Sequence, residues 1–430
     1  MVPTMRRVYK ENSVASARPI EGVATAVPAF IGFAASGPFN KPTLVANWAQ
    51  YRSTFGDGVE GTYLGRTVHA YFNNGGGACY VVRMRSDVVT ANPPRGIELT
   101  TGLRLPTGSD SVVGEEEVVS GPASDVGTRR DDVEPASRIG VDSLEDIDEI
   151  TMVCAPDLMT AFQGGFIDLE SLTAAQEAMI SHCERMGDRV AILDAPPGMT
   201  ASQVVAWRIG DAGFDSGFAA IYWPWLKSLN PVTGKIDFMP PCGHVAGIWA
   251  RVDRTRGVHA SPGNEVANGA IDVEVRIGRE EGDFVDSAGI NVLMHLPGRG
   301  IRATGACTLS GDPLWSHTNI RRLVNYIEKS ILNGTDWVKL QANDESLWDQ
   351  LANSIAGFLI SEWRKGALSG GQASQAYYVK CDEDTNPPAS IAAGELTCEI
   401  GLAPRPNSFV VFRLSKFAGG LSTVSEFGLS

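Results

Sequence analysis

The sequence predicts a multidomain α/β fold: a central parallel sheet covered by helices, an α+β C-terminal domain, and extended strand arms at the N- and C-terminal ends. Three observations carry that prediction. From Ile150 onward, short apolar runs alternate with helical patterns; from about Ala303, helices come first and strands last; and both ends of the chain carry strand-like runs that some sheet must accept.

Taken in order, residues 1–17 (MVPTMRRVYKENSVASA) cannot bury a core of their own, yet Val8, Tyr9, Lys10 and Glu11 have strand character. A lone strand needs a partner sheet, so this segment is expected to be an N-terminal arm. Residues 18–85 and 144–302 are expected to form the α/β domain. In its first part, Ala29-Phe-Ile-Gly-Phe33 is a strand, and Tyr63, Leu64, Val68, Tyr71 and Phe72 recur at helical spacing. Asn73-Asn-Gly75 is a helix stop and Cys79-Tyr-Val-Val-Arg83 is the next strand.

The glycines at 75, 76 and 77 invite a phosphate cradle. Such a cradle needs a strand, then glycines, then the N-terminus of a helix, whose free N–H groups face the anion. Here the order is reversed. The glycines follow a helix, where unpaired carbonyls repel an anion, and the stretch is expected to be a turn.

Residues 86–143 contain no Phe, Tyr, Trp, Cys or Lys, and carry 11 acidic against 5 basic residues. So little bulky apolar surface cannot make a strong core, and the segment is expected to be a surface insertion. Beyond it come a strand at Ile150–Ala155, a helix at Ser171–Met186, a strand at Val190–Leu193, a helix at Ala201–Ile209, a strand at Phe218–Tyr222 and a helix over Gly243–Val252. Strand and helix in alternation signal a parallel sheet buried on both faces.

The C-terminal domain is expected over 303–405. Its first helix carries Ile320, Leu323, Val324, Ile327 and Ile331 on one stripe, with Arg321, Arg322, Asn325, Glu328 and Lys329 on the other. A second helix over Asp344–Lys365 turns Leu347, Leu351, Ile355, Phe358 and Leu359 inward, and strands follow at Ala376–Lys380 and Glu395–Ile400. The last segment, 406–430, holds the apolar strand around Phe409-Val-Val-Phe-Arg-Leu414 and is expected to be a C-terminal arm. A strand this apolar is an aggregation hazard unless its own domain or another chain pairs with it.

Composition narrows function. With 43% hydrophobic and 20% charged residues over 430 positions, the chain is an ordinary globular one of several domains. Its formal charge of -14 argues against nucleic acid or an anionic membrane as the main partner. No signal-peptide core follows Arg7 and no run is long enough to span a bilayer, so a chain that is cytosolic when made, without membrane insertion, is expected. The seven cysteines include no C-x-x-C pair and are expected to be reduced.

Asp157, Asp194, His182, His244, His259 and many serines invite a hydrolase reading, but no G-x-S-x-G supplies a nucleophile elbow. Asp157 and Asp194 follow strands, where catalytic groups are placed, and they suit turns and caps equally. Cys242 and His244 have no second pair at ligand spacing, so neither a metal nor a cofactor is expected.

Several stretches match one family. RPIEGVATAVPAFIGFAASGPFNKPTLVANWAQYRSTFG (18–56), NGGGACYVVR (74–83), CAPD (154–157), PPCGHVAGIWARVDRTRGVHASPGNE (240–265) and GIRATGACTLS (300–310) resemble tail sheath proteins of contractile phage tails and phage-tail-like contractile injection systems. NIRRLVNYIEKSI, NDESLWDQ, YYVKCDEDTNPP and GLAPRPNSFVVFRL continue the resemblance.

The resemblance implies a non-enzymatic subunit. Such subunits stack as hexameric rings in a helix around an inner tube, between a baseplate and a terminator or cap, and contract to drive the tube through an envelope. It also implies a central fold of subtilisin-like topology without an intact triad. Neighbouring subunits would be linked through arms matching Val8, Tyr9, Lys10 and Glu11 at one end and Phe409, Val410, Val411, Phe412, Arg413 and Leu414 at the other. The tube would be met by a C-terminal-domain helix, for which Arg321, Arg322 and Lys329, or else Asp344, Glu345 and Asp349, are the candidates. The motif set favours an injection system over a phage tail. A static shell protein and an α/β hydrolase remain as alternatives.

Overall fold

The computed structural model describes residues 18–85, 140–406, 408–417 and 420–429. They fall into two compact units, one of residues 24–256 and 260–321, the other of 18–23, 257–259 and 322 onward. The expected arm at Val8–Glu11 and almost all of the expected insertion lie outside the described residues.

In the larger unit the strands are β1 (Pro28–Gly32), β2 (Thr43–Val45), β3 (Cys79–Arg83), β4 (Met152–Cys154), β5 (Val190–Asp194), β6 (Ala219–Trp223), β7 (Leu226–Leu229), β8 (Ile236–Met239), β9 (Glu265–Val266), β10 (Ala270–Val273), β11 (Ile290–Leu296) and β12 (Gly300–Ala303). Its helices are α1 (Trp48–Phe55), α2 (Leu64–Asn73), α3 (Leu158–Gln163), α4 (Leu169–Met186), α5 (Ala201–Ala206), α6 (Cys242–Arg256) and α7 (Arg279–Asp286). Nine strands form one sheet in the order β2-β3-β1-β4-β5-β6-β11-β12-β9. From β3 to β11 the neighbours run parallel. Antiparallel β2 is added at one end and β12 with β9 at the other. A separate antiparallel sheet has the order β10-β7-β8.

Period-two alternation explains the apolar runs. Ala29, Ile31, Val153, Ala191 and Leu193 join a core with Leu172 and Met179 of α4 and Val204 of α5. Their neighbours Phe30, Met152, Cys154 and Ile192 join a second core with Val68 and Tyr71 of α2 and Val245 and Trp249 of α6. Successive residues of β1, β4 and β5 therefore meet apolar packing on opposite faces, as expected of a sheet covered on both sides. Capping fixes α4: the Asp168 side chain accepts from Ser171 N at 2.8 Å, and Gly187 closes the helix at φ 70°. Helices α2 and α6 pack closely because position 247 is glycine. A Cβ there would lie 2.5 Å from Asn74 Cβ and 2.6 Å from the Tyr71 carbonyl oxygen.

Residues 303–321, which the sequence reading groups with the C-terminal domain, are bonded into this larger unit. Thr304 N donates to Val292 O at 2.8 Å, Leu309 N to Ala219 O at 2.9 Å and Thr318 N to Ala306 O at 3.0 Å. The division between units falls after Arg321, inside α8 (Thr318–Gly334).

The smaller unit contains most of α8, then α9 (Glu345–Arg364), α10 (Ala373–Ala376) and α11 (Pro388–Ala392), with strands β13 (Tyr377–Lys380), β14 (Leu396–Arg405), β15 (Ser408–Phe417) and β16 (Gly420–Leu429). The strands form one antiparallel sheet in chain order. Leu323, Ile327 and Ile331 of α8 and Leu351, Ile355 and Leu359 of α9 share its core with Leu396, Cys398, Ile400, Phe412 and Leu414. Residues 18–23 run across this unit as a strap. Arg18 N donates to Ser354 Oγ at 2.9 Å, the Arg18 guanidinium lies 4.5 Å over the Trp337 ring, and Val23 N donates to Ser330 Oγ at 3.1 Å. Ile20 is buried in the same core.

Candidate functional site

The glycine run closes a helix. Gly75 has φ 105°, which a side chain would oppose, and its N–H bonds back to Phe72 O at 3.1 Å. The orphan carbonyls at this end of α2 are taken by guanidiniums of α6: Arg251 donates to Asn74 O and Arg254 to Gly75 O, each at 3.0 Å. Gly77 N donates to the Tyr71 hydroxyl at 3.1 Å. The carbonyls and their arginine partners fill the positions a phosphate cradle would need for N–H donors.

The buried carboxylates have structural partners. Asp157 accepts from Phe33 N at 2.7 Å, Tyr63 N at 2.6 Å, Leu64 N at 3.3 Å and Thr160 Oγ1 at 2.7 Å, tying the exit of β1 to the starts of α2 and α3. Burial raises its pKa above the usual carboxylate value, and these donors oppose that rise. The cavity beside it, lined by Ile31, Gly32, Met84, Val141, Leu158 and Met179 among others, has a volume of about 10 Å³, the least that holds one water.

Asp194, at the end of β5, accepts from Cys242 N at 2.8 Å, and burial pushes its pKa up to about 7. His182 and His244 are both buried and held neutral, each with its pKa lowered to about 3. Burial is the main cause, with the nearby charges of Arg189 and Arg185 adding to it at His182 and those of Arg66 and His69 at His244. A triad needs a base poised near neutrality beside a nucleophile, and neither imidazole is in that state.

Asp142, Glu145 and His182 come within 4.8 Å of one another. Arg185 already bridges the carboxylates, at 3.3 Å from Asp142 and 2.8 Å from Glu145. Together with Arg189, whose buried guanidinium donates to Leu144 O and Ile147 O, it pins residues 141–147 against α4 and β5.

Two expectations about surfaces change. Phe409, Val410, Val411, Phe412, Arg413 and Leu414, expected in a free linking arm, lie in β15 between β14 and β16. Val410, Val411, Phe412 and Leu414 are fully buried. Both ladder edges of β15 are occupied, so as folded here it offers no edge to a neighbour; the outer strand is β16. The charged stripe on α8 is also not a surface. Arg321 is 1% exposed and Arg322 4% exposed. The Arg321 guanidinium sits 3.5 Å from the Trp315 ring centroid and 4.3 Å from that of Phe218, which gives a buried charge two aromatic faces. Lys329 is half-buried. By contrast, Asp344, Glu345 and Asp349 are exposed at the start of α9, where the Asp344 side chain accepts from Leu347 N at 2.8 Å as the helix cap.

Comparison with known proteins places this fold in a family. The model of the phage tail sheath protein central domain matches residues 148–309, and that of the phage tail sheath C-terminal domain matches 310–413. The chain belongs to the phage tail sheath family. The tail sheath protein of Burkholderia phage BcepMu is 24% identical to it over 438 residues, covering 88% of this chain and 89% of that protein. The fold resembles the helical sheath of the anti-feeding prophage in its contracted state, with a TM-score of 0.68 at 24% identity over 94% of this chain and 96% of that one. It resembles equally the contracted sheath of the PVC extracellular contractile injection system, with a TM-score of 0.66 at 23% identity over 94% of this chain and 96% of that one. Among the described residues, no helix of this sheath-family chain is long and apolar enough to cross a membrane.

Proposed function

We propose that this chain is the structural subunit of a contractile sheath, polymerising as stacked hexameric rings around an inner tube and contracting to drive that tube through a target envelope. The observation that carries the reading is the family match through both the central and the C-terminal sheath domains. Its partners are further copies of itself, the inner tube protein, a baseplate and a tail terminator or cap. It works without catalysis or cofactor: contraction needs two packings of the same subunits, the contracted one lower in free energy, and the energy is stored on assembly. Assembly takes place in the bacterial cytoplasm.

Subunits are linked by strand addition. The N-terminal contribution is the segment around Val8–Glu11, and the C-terminal one is β16, since β15 is committed on both edges. The tube is met through the exposed acidic start of α9 at Asp344, Glu345 and Asp349 rather than through Arg321 and Arg322, which are buried.

Of the two sheath readings, a phage-tail-like injection system is supported by the fold similarity to the anti-feeding prophage and PVC sheaths over 94% of the chain. The alternative, a phage tail sheath, is supported by the BcepMu relative. Electron microscopy tests the proposal. The chain expressed alone should give hollow ridged cylinders, and expression with its neighbouring tube and baseplate genes should give longer, narrower sheaths around a tube. Dispersed monomers under both conditions overturn it. Particles purified from the native host decide between the two readings, since only a phage tail is joined to a DNA-filled head.

A further inference from the structure

Cys381 follows β13 directly, and Cys398 lies in β14. The two strands pair antiparallel with Lys380 opposite Glu399, so one further step of the register sets Cys381 opposite Cys398. Opposed residues of an antiparallel pair have Cα atoms roughly 4.5–5.5 Å apart, within the span that a disulfide bridges. Cys381 Sγ donates toward the carbonyl of Thr397, the residue next to Cys398, at 3.8 Å.

The segment between the cysteines is held in place. Asn386 Nδ2 donates to Thr397 O at 3.0 Å, and its Oδ1 accepts from Thr397 N at 2.8 Å. Access is graded as well: Cys398 is buried, whereas Cys381 is partly exposed and meets a reagent first. By contrast, Cys154 and Cys242 are both buried and shielded from any reagent.

We propose that Cys381 and Cys398 are a reversible thiol–disulfide pair, oxidised by low-molecular-weight disulfides of the glutathione class. Cys381 loses its proton and its thiolate attacks one sulfur of the small disulfide, forming a mixed disulfide and releasing one thiol. Cys398 then loses its proton and attacks the Cys381 sulfur, forming the protein disulfide and releasing the second thiol. Two electrons pass from the protein to the reagent, and one small disulfide becomes two thiols. The hydrogen bond to Cys381, and then burial, hold the Cys398 thiol well above its ordinary pKa, so the closing step quickens as pH rises. Closure ties the end of β13 to β14 around residues 382–397, which contain α11.

The test treats the full-length chain with oxidised glutathione, then denatures it, alkylates free thiols and measures mass and cross-linked peptides. The expected product has five alkylated cysteines of the seven, one peptide linking Cys381 to Cys398, no retained glutathione and full reversal by a dithiol reductant. A loop of this length lowers the unfolding equilibrium constant of the C-terminal sheet roughly a hundredfold. In Cys398→Ser the first step has no successor, so glutathione is retained on Cys381. Seven free thiols in the treated wild type, a lasting glutathione adduct on its Cys381, or a link between any other pair overturns the proposal.

Discussion

Replacing Asp194 by Asn should reverse sign with pH. In the wild type, burial raises this carboxyl from 3.8 to about 7, so between those values the unfolded chain is ionised while the folded one stays protonated. The unfolded state then binds fewer protons, and stability falls as pH rises through that window before levelling above about 7. A displacement of this size corresponds to about 4 kcal/mol. Asparagine keeps an oxygen for Cys242 N but replaces the second carboxyl oxygen with an NH2 group, at a pH-independent cost of about 1 kcal/mol. Asp194→Asn should therefore be slightly less stable than wild type at pH 4 and about 3 kcal/mol more stable at pH 8. With a urea dependence of roughly 2–3 kcal/mol/M, the midpoint difference at pH 8 is about 1 M. Tryptophan fluorescence during urea unfolding reports mainly on the larger unit, which holds six of the nine tryptophans, among them the buried Trp207, Trp223, Trp225 and Trp249. A midpoint difference between variant and wild type that is constant from pH 4 to pH 8 would refute the burial argument.

Gly247→Ala should force α2 and α6 apart and cost about 1–3 kcal/mol, because the added methyl meets Asn74 Cβ at 2.5 Å; an unchanged thermal midpoint would show that the helices have room. Arg321→Lys should cost about 2 kcal/mol in urea titrations, since an ammonium cannot stack flat between Trp315 and Phe218, and a neutral result would mean the sandwich is incidental. Two truncations separate folding from assembly. Ending the chain after Phe417 removes β16 and should leave a folded subunit that forms no cylinders in electron micrographs, whereas ending it after Arg405 also removes Phe412 and Leu414 from the core and should abolish cooperative unfolding. Cylinders from the first truncation, or from deletion of residues 1–17, would count against strand exchange at that end.

Much of the larger unit was legible because its signals are local. The helical spacing of Leu64, Val68 and Tyr71 and the Asn-Gly stop placed α2 to within a residue, and the order of helix, glycine and strand matches the turn between α2 and β3. The hairpin of β7 and β8 went unread although Asn230-Pro-Val-Thr-Gly234 is a turn signal, because its strands are short and half-exposed. The α8 arginines were misplaced for a different reason. An amphipathic reading assumes one buried face, whereas α8 buries Asn325 and Glu328 as well as its apolar stripe, and Arg321 finds one of its aromatic partners, Phe218, far away in sequence. At the C-terminal end, the sequence pair Gly419-Gly420 is a turn signal lying between the described β15 and β16, and it went unread. Without that turn, the apolar strand at Phe409–Leu414 looked like the last one.

The strap at residues 18–23 has a mechanical consequence. It places the first described residues in the same unit as the last, so both ends of the chain leave from one body. Tension applied at Arg18 is carried by Ser354, Trp337 and Ser330, and tension applied at β16 by the ladder of β15. A pull between those two points is therefore borne within one unit, by the strap's bonds and the β15–β16 ladder.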